Sequence, residues 1–244
     1  MKNDLLQATI NTISGHEFRT PMNAIFGFAN LLHDSAGSIS AAEQKEYSNY
    51  ILNSARQLMN LSERLERWSR FKDETIEGVL CEKISVEAMM LQVEKVAEKY
   101  TVPGEIFLFS ANTREISIPG NKEVFFAAMA ELFDNAFKFS AKQSVPVFSV
   151  MVENGNQLIS IENYSDKVSS TDLRKYTVFT QFNRKLYEQQ GLGLGLEIAR
   201  LGIMHCGGRL SIPEMPEENG HPKIRIEVLI PCMGKLYEKR YTDN

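Results

Sequence analysis

The strongest constraint on the fold is an apolar stripe at helical spacing over residues 47–68. Tyr47, Ile51, Ser54, Leu58, Leu61, Leu65 and Trp68 recur every three or four residues, which puts them on one face of a helix. The segment before it repeats the pattern through Leu6, Ile10, Ile13, Ala24, Phe28 and Leu31, with Ile25, Ala29 and Leu32 in parallel. Asp34 to Ser40 is the loop between them, and Ser40 with Glu43 forms a capping box that starts the second helix. Two helices cannot enclose a core. Pairing with a second copy would close them into a four-helix bundle, so a homodimer is expected.

Residues 71–80 are polar, contain Gly78, and read as a connector. Beyond them helices and strands alternate. Helices are expected over 84–100, 122–140 and 194–206; strands over 105–110, 115–118, 146–152, 157–163, 209–212 and 223–230, with Asn154-Gly155 as a hairpin turn. The expected class is α+β: an N-terminal helical hairpin, then helices on one face of a mixed sheet. The division is 1–72 hairpin, 73–80 linker, 81–244 second domain.

Composition narrows the function. A net charge of -4 over 244 residues argues against sequence-independent nucleic-acid binding, which needs a basic face. No apolar run approaches the roughly 20 residues of a membrane span. Cys81, Cys206 and Cys232 lack C-x-x-C spacing, and the four histidines form no metal-ligand pair at helical spacing. A cytoplasmic protein is expected, although a longer chain could be anchored through segments not present here.

Three motifs carry chemistry. In Ser14 to Asn23 a histidine, His16, is followed by a carboxylate, Glu17, and then by Thr20 and Pro21, all within a helical pattern. On a helical projection His16 lies off the apolar stripe, which suits a side chain that holds and releases a phosphoryl group. In Glu131 to Ser140, Glu131 and Asn135 share a helix face and offer the hard oxygens that magnesium takes, with Lys138 in reach of phosphate. An amphipathic core helix with a polar face would read the same way. Gly191-Leu192-Gly193-Leu194-Gly195-Leu196 runs into a helix, where backbone N–H groups can approach phosphate; glycine runs also make plain turns. It is neither a Rossmann fingerprint nor a Walker A loop.

In this order and spacing the motifs resemble a sensor histidine kinase over nearly the whole chain. His16 to Pro21 is similar to the H box of the dimerisation and phosphotransfer domain, and Glu131 to Ser140 to the N box of the gyrase-type (Bergerat) ATP-binding domain. Phe179 to Arg184 resembles the F box of the lid, Gly191 to Leu196 the second glycine box, and His205 to Gly208 the His-Gly-Gly turn after it. The resemblance implies autophosphorylation of His16 from ATP, with Glu17 as base and Mg2+ held by Asn135 with Glu131 nearby. Lys138, Arg184, Gly191, Gly193, Gly195 and Leu196 would contact the nucleotide. An aspartate on a response regulator receiver domain would take the phosphoryl group. Thr20 stands where the family orients a water for dephosphorylation, or it simply caps or packs. Pro21 can bend the helix just after the phosphosite.

The chain departs from the family at the Asp-x-Gly-x-Gly box of the adenine pocket. Asn163 takes the aspartate position, and Ser165 and Lys167 the glycine positions. A neutral acceptor is worth ~1 kcal/mol less than a charged one, which predicts roughly a fivefold to tenfold loss of affinity. Another register places Glu162 there; Asn163 is preferred because it keeps the alternation of Ile159 and Ile161. Gly220 to Lys223 stands where the family has Gly-x-Gly-Thr. The alternative to an active kinase is a degenerate one, a dimeric phosphotransfer or docking scaffold with little or no ATP turnover.

Overall fold

The structure, a computed structural model, describes residues 2–35, 38–73, 81–100, 107–142, 144–166, 169–170, 173, 194–218 and 221–232, with backbone alone for 2–17, 73, 217–218 and 221. The described residues fall into two compact units, the helical hairpin up to Ser69 and a unit that starts at Arg70 and holds every strand.

The hairpin consists of α1 (Lys2–Asp34) and α2 (Ala41–Asp73). Ser40 Oγ accepts from the Glu43 N–H, and Glu43 accepts from the Ser40 N–H and hydroxyl, so the expected capping box forms. Phe28 ties the helices together by stacking on Tyr50 at 4.5 Å and tilting against Tyr47 at 5.6 Å. On α2, Ser54 and Trp68 of the expected stripe are buried and the residues between them half-buried. Leu31, expected on the inner face of α1, is exposed, as are Met22, Phe26, Tyr50, Leu52 and Met59. Pro21 lies buried inside α1, where the missing N–H leaves the Glu17 carbonyl without its intrahelical donor.

In the second unit the sheet order is β2 (Leu108–Ala111), β4 (Val147–Glu153), β5 (Asn156–Tyr164), β8 (His221–Pro231), β6 (Arg209–Ser211), with β7 (Glu217–Glu218) on β8. The β2–β4 pair is parallel; the other pairs are antiparallel. A separate ribbon pairs β1 (Cys81–Ser85) with β3 (Glu115–Pro119). The Gln157 amide joins ribbon to sheet by accepting from Ser117 N–H and donating to Ser117 carbonyl at 2.6 Å.

Two expectations change here. The helix placed over 84–100 is strand β1 followed by α3 (Val86–Ala97): Ile84 pairs with Ile116, and Ser85 caps the helix by accepting from Ala88 N–H. Pairing with β3 outweighs the helical spacing of the apolar residues. The connector also begins later than 71, since Phe71 is still in α2 and is 1% exposed.

Helix α4 (Lys122–Phe139) packs on the sheet at β5, α3 packs on α4 and on the ribbon, and α5 (Leu194–His205) nears β8 where Ile203 and Ile230 flank Gly208. Phe133 and Phe137 of α4 pack on Phe148 of β4 at 5.3 and 5.7 Å, and α3 is held to α4 where Tyr100, just past its end, stacks on Phe137. Ile159, Ile161, Ile226, Val228 and Ile230 alternate inward beneath them. Gly208 lies close against Ile203 of α5 and Ile230 of β8; a Cβ there would stand 2.9 and 3.1 Å from them. No helix among the described residues is long and apolar enough to cross a membrane.

Candidate functional site

Helix α4 starts where Asn121 accepts from the Glu123 N–H at 2.7 Å. Its phase then follows from the apolar residues. Phe125, Met129, Leu132, Phe133 and Ala136 face the core, which rotates Glu131, Asn135 and Lys138 onto a common edge. Glu131 is 7% exposed, while Asn135 and Lys138 are half-buried; the Lys138 ammonium lies 5.6 Å from the Phe139 ring centre. Beside them Asp134 is held by Lys99 at 3.4 Å, and its carbonyl accepts from the Tyr100 hydroxyl.

Two contacts orient α5 against α4. The Cys206 thiol reaches the Asn121 carbonyl at the start of α4, and Gly202 lies against Val124 and Ala128. The end of α5 therefore meets the beginning of α4. The first turn of α5 lies at the opposite end of that helix from this junction. Gly195 and Leu196 occupy that turn, where N–H groups have no intrahelical acceptor.

The end of β5 is tied to the end of α4. Ala141, two residues past α4, donates its N–H to the Tyr164 carbonyl at 2.7 Å. Asn163 is 5% exposed and lies on the helix-covered face with Ile159 and Ile161. Ser165 is fully buried, with its N–H donating to the Pro222 carbonyl. Glu162 points to the opposite face of the sheet, where it pairs with Lys223 at 3.3 Å and Arg225 at 2.6 Å. The Ala141 hydrogen bond thus sets the end of α4, which carries Lys138, beside the end of β5, which carries Asn163; Gly195 and Leu196 open α5, and Glu162 is committed elsewhere.

Other expected residues are less fully placed. His16 and Glu17 lie in α1, with their side chains outside the described residues. Thr20 is exposed, one turn beyond His16. Phe179 to Arg184, Gly191, Gly193, Lys167 and Gly220 lie outside the described residues. Among the described residues no three His, Cys, Asp or Glu side chains cluster as a metal site.

The sequence reading missed one junction. His205 donates through Nε2 to the Phe71 carbonyl, capping the end of α2, and the Phe71 ring packs against Gly202. A glycine within an apolar helix was the available signal for a close approach at this point.

The chain is similar to known proteins in sequence and in fold. Residues 8–74 match the His Kinase A (phospho-acceptor) domain, and residues 120–231 the histidine kinase-, DNA gyrase B- and HSP90-like ATPase. The signal transduction histidine-protein kinase ArlS of Staphylococcus epidermidis is 25% identical over 221 residues, which is 88% of this chain and 47% of that protein. The histidine protein kinase DivJ of Caulobacter vibrioides is 23% identical over 89% of this chain and 37% of its own length. The chain thus spans about half or less of these two curated relatives. Among solved structures, histidine kinase ThkA in complex with response regulator protein TrrA superposes with a TM-score of 0.68 at 14% identity, over 96% of this chain and 64% of that one. Full-length ShkA in complex with AMPPNP gives 0.62 at 18% identity, over 91% and 45%. The Acinetobacter baumannii histidine kinase AdeS gives 0.60 at 17%, over 89% and 98%.

Proposed function

The chain belongs to the sensor histidine kinases, with their phospho-acceptor and ATPase domains in that order, and on this premise we propose that it phosphorylates His16 from ATP and passes the phosphoryl group to an aspartate of a response regulator receiver domain. The observation that carries the reading is the Glu131–Asn135–Lys138 edge of α4, with the end of that helix tied by the Ala141–Tyr164 hydrogen bond to the end of β5 beside Asn163.

Each residue has a role that its chemistry suits. The base sits against Asn163, whose amide oxygen accepts a hydrogen bond. Lys138 and the N–H groups of Gly195 and Leu196 hold phosphate oxygens, with Gly191, Gly193 and Arg184 as further contacts. Glu131 and Asn135 supply a carboxylate and an amide oxygen on one helix edge, a donor set that fits Mg2+ keeping several waters and phosphate oxygens. A bound magnesium ion supplies charge neutralisation at the phosphates. One ring nitrogen of His16 attacks the γ-phosphorus, the bond to the bridging oxygen breaks, and ADP leaves. Glu17 accepts the proton from the other ring nitrogen. Thr20 orients a water in the reverse sense, to dephosphorylate the receiver.

The domains in this reading are 1–72 for dimerisation and phosphotransfer, 73–80 as linker and 81–244 for nucleotide binding, with the protein acting in the cytoplasm. Exposed Phe26 and Met59, at 62% and 64%, support a second copy completing the hairpin into a four-helix bundle. Calorimetric titration with Mg-ATP tests the nucleotide site. Asn135→Ala should weaken binding by about tenfold or more, the cost of one charge-assisted contact, while His16→Gln should leave it unchanged. Equal affinity in wild type and Asn135→Ala would overturn the site assignment.

A further inference from the structure

Asn163 is a buried carboxamide with little to hold it. Among the described residues its hydrogen bond is to its own neighbour: Nδ2 donates to the Tyr164 carbonyl at 3.4 Å, beyond the roughly 2.7–3.2 Å of a normal N–H···O bond. The same carbonyl already accepts from Ala141 N–H at 2.7 Å, so the Asn163 donor is the weaker of two claims on it. Its cross-strand neighbour is Ile224, which offers no polar group to fix the amide. The nearby carboxylate, Glu162, is turned to the other face and held by Lys223 and Arg225. Against the described residues, turning the amide by half a rotation gives up this one long hydrogen bond.

A carboxylate here would only accept. Facing the C6 substituent of the base, it would match the exocyclic amino group of adenine and repel the exocyclic oxygen of guanine. A carboxamide carries one donor and one acceptor. Adenine presents a donor at its C6 amino group beside an acceptor at N1; guanine presents an acceptor at its C6 oxygen beside a donor at N1. The two edges are complementary to the two orientations of one amide. We propose that Asn163 is the specificity-determining residue of the nucleotide site and that it makes the site accept adenine and guanine nucleoside triphosphates alike. The inference rests on the kinase reading above, and it assigns that site a substrate class wider than ATP.

Competition of ATP and GTP, each with magnesium, against a fluorescent nucleotide on the full chain tests it. In wild type the two dissociation constants should agree within about threefold, since each base makes the same number of hydrogen bonds. In Asn163→Asp the preference for ATP should rise by at least about tenfold, the difference between an attracted and a repelled partner. A wild type that binds ATP and rejects GTP sinks this inference and leaves the kinase reading standing. If wild type binds neither nucleotide, both fail. The wild-type ratio stands without the variant, so a poorly folded Asn163→Asp does not blunt the test.

Discussion

Cys206 shows how position sets the chemistry of a single side chain. Burial pushes its thiol up to about 12, and the negative charge of Glu82 adds to the shift. The ordinary value is 9.0, so the raised group contributes stability that is fully present below pH 9 and is lost as pH rises toward 12. Thermal unfolding temperature should fall over that window, and the slope should flatten in Cys206→Ala. At pH 8 a disulfide reagent should label exposed Cys81 in the folded protein and reach Cys206 only after denaturation; fast labelling of both would contradict the burial. The sequence carried no hint of this contrast, because three isolated cysteines look alike until a fold covers one of them. Asn163 was more legible. Its alternation with Ile159 and Ile161 placed it on the covered face of β5, and Glu162, one residue away, lies on the other. What the letters could not show was the slack in its hydrogen bonding.

Among elements, the helices with long periodic stripes were readable and the short pairings were not. Helix α4 ends one residue before its expected bound, and the hairpin around Asn154-Gly155 forms with Asn154 at φ 52° and Gly155 at φ 69°. Strand β1 was missed because five residues with one buried position give too few repeats to tell a strand from a helix start. The packing of α5 was likewise hidden, since it depends on what a glycine faces. A Cβ on Gly202 would stand 2.7 Å from Ala128 Cβ, 3.2 Å from the Phe71 ring and 3.3 Å from the Val124 carbonyl. Gly202→Ala should therefore destabilise the protein by ~1–3 kcal/mol in chemical denaturation. Gly27 in α1 has nothing within 4 Å of the same built atom, so Gly27→Ala should instead stabilise by ~0.5–1 kcal/mol. Equal effects at the two sites would contradict the close approach of α5 to α4 and Phe71.

At the scale of the molecule, the order of motifs along the chain was informative where local pattern was not. A histidine near the N-terminus and a glycine run near residue 191 have no local relation, yet their order along the chain is that of the phospho-acceptor and ATPase domains it matches. Within the second unit the end of α5 is seated on the start of α4 by Gly202 and Cys206 rather than by any catalytic residue. The hairpin presents the opposite case: its stripe was legible in the letters, while Phe26 and Met59, which lie outside that stripe, are exposed. The central claim is that the nucleotide site supplies the phosphoryl group carried by His16. Incubation with γ-labelled ATP and magnesium, followed by mapping of the label, tests it most directly. Label that is lost in acid, retained in base and confined to the His16 peptide, and absent from both His16→Gln and Asn135→Ala, is the predicted result. Label that persists in His16→Gln, or wild type that binds ATP yet never becomes labelled, would contradict it.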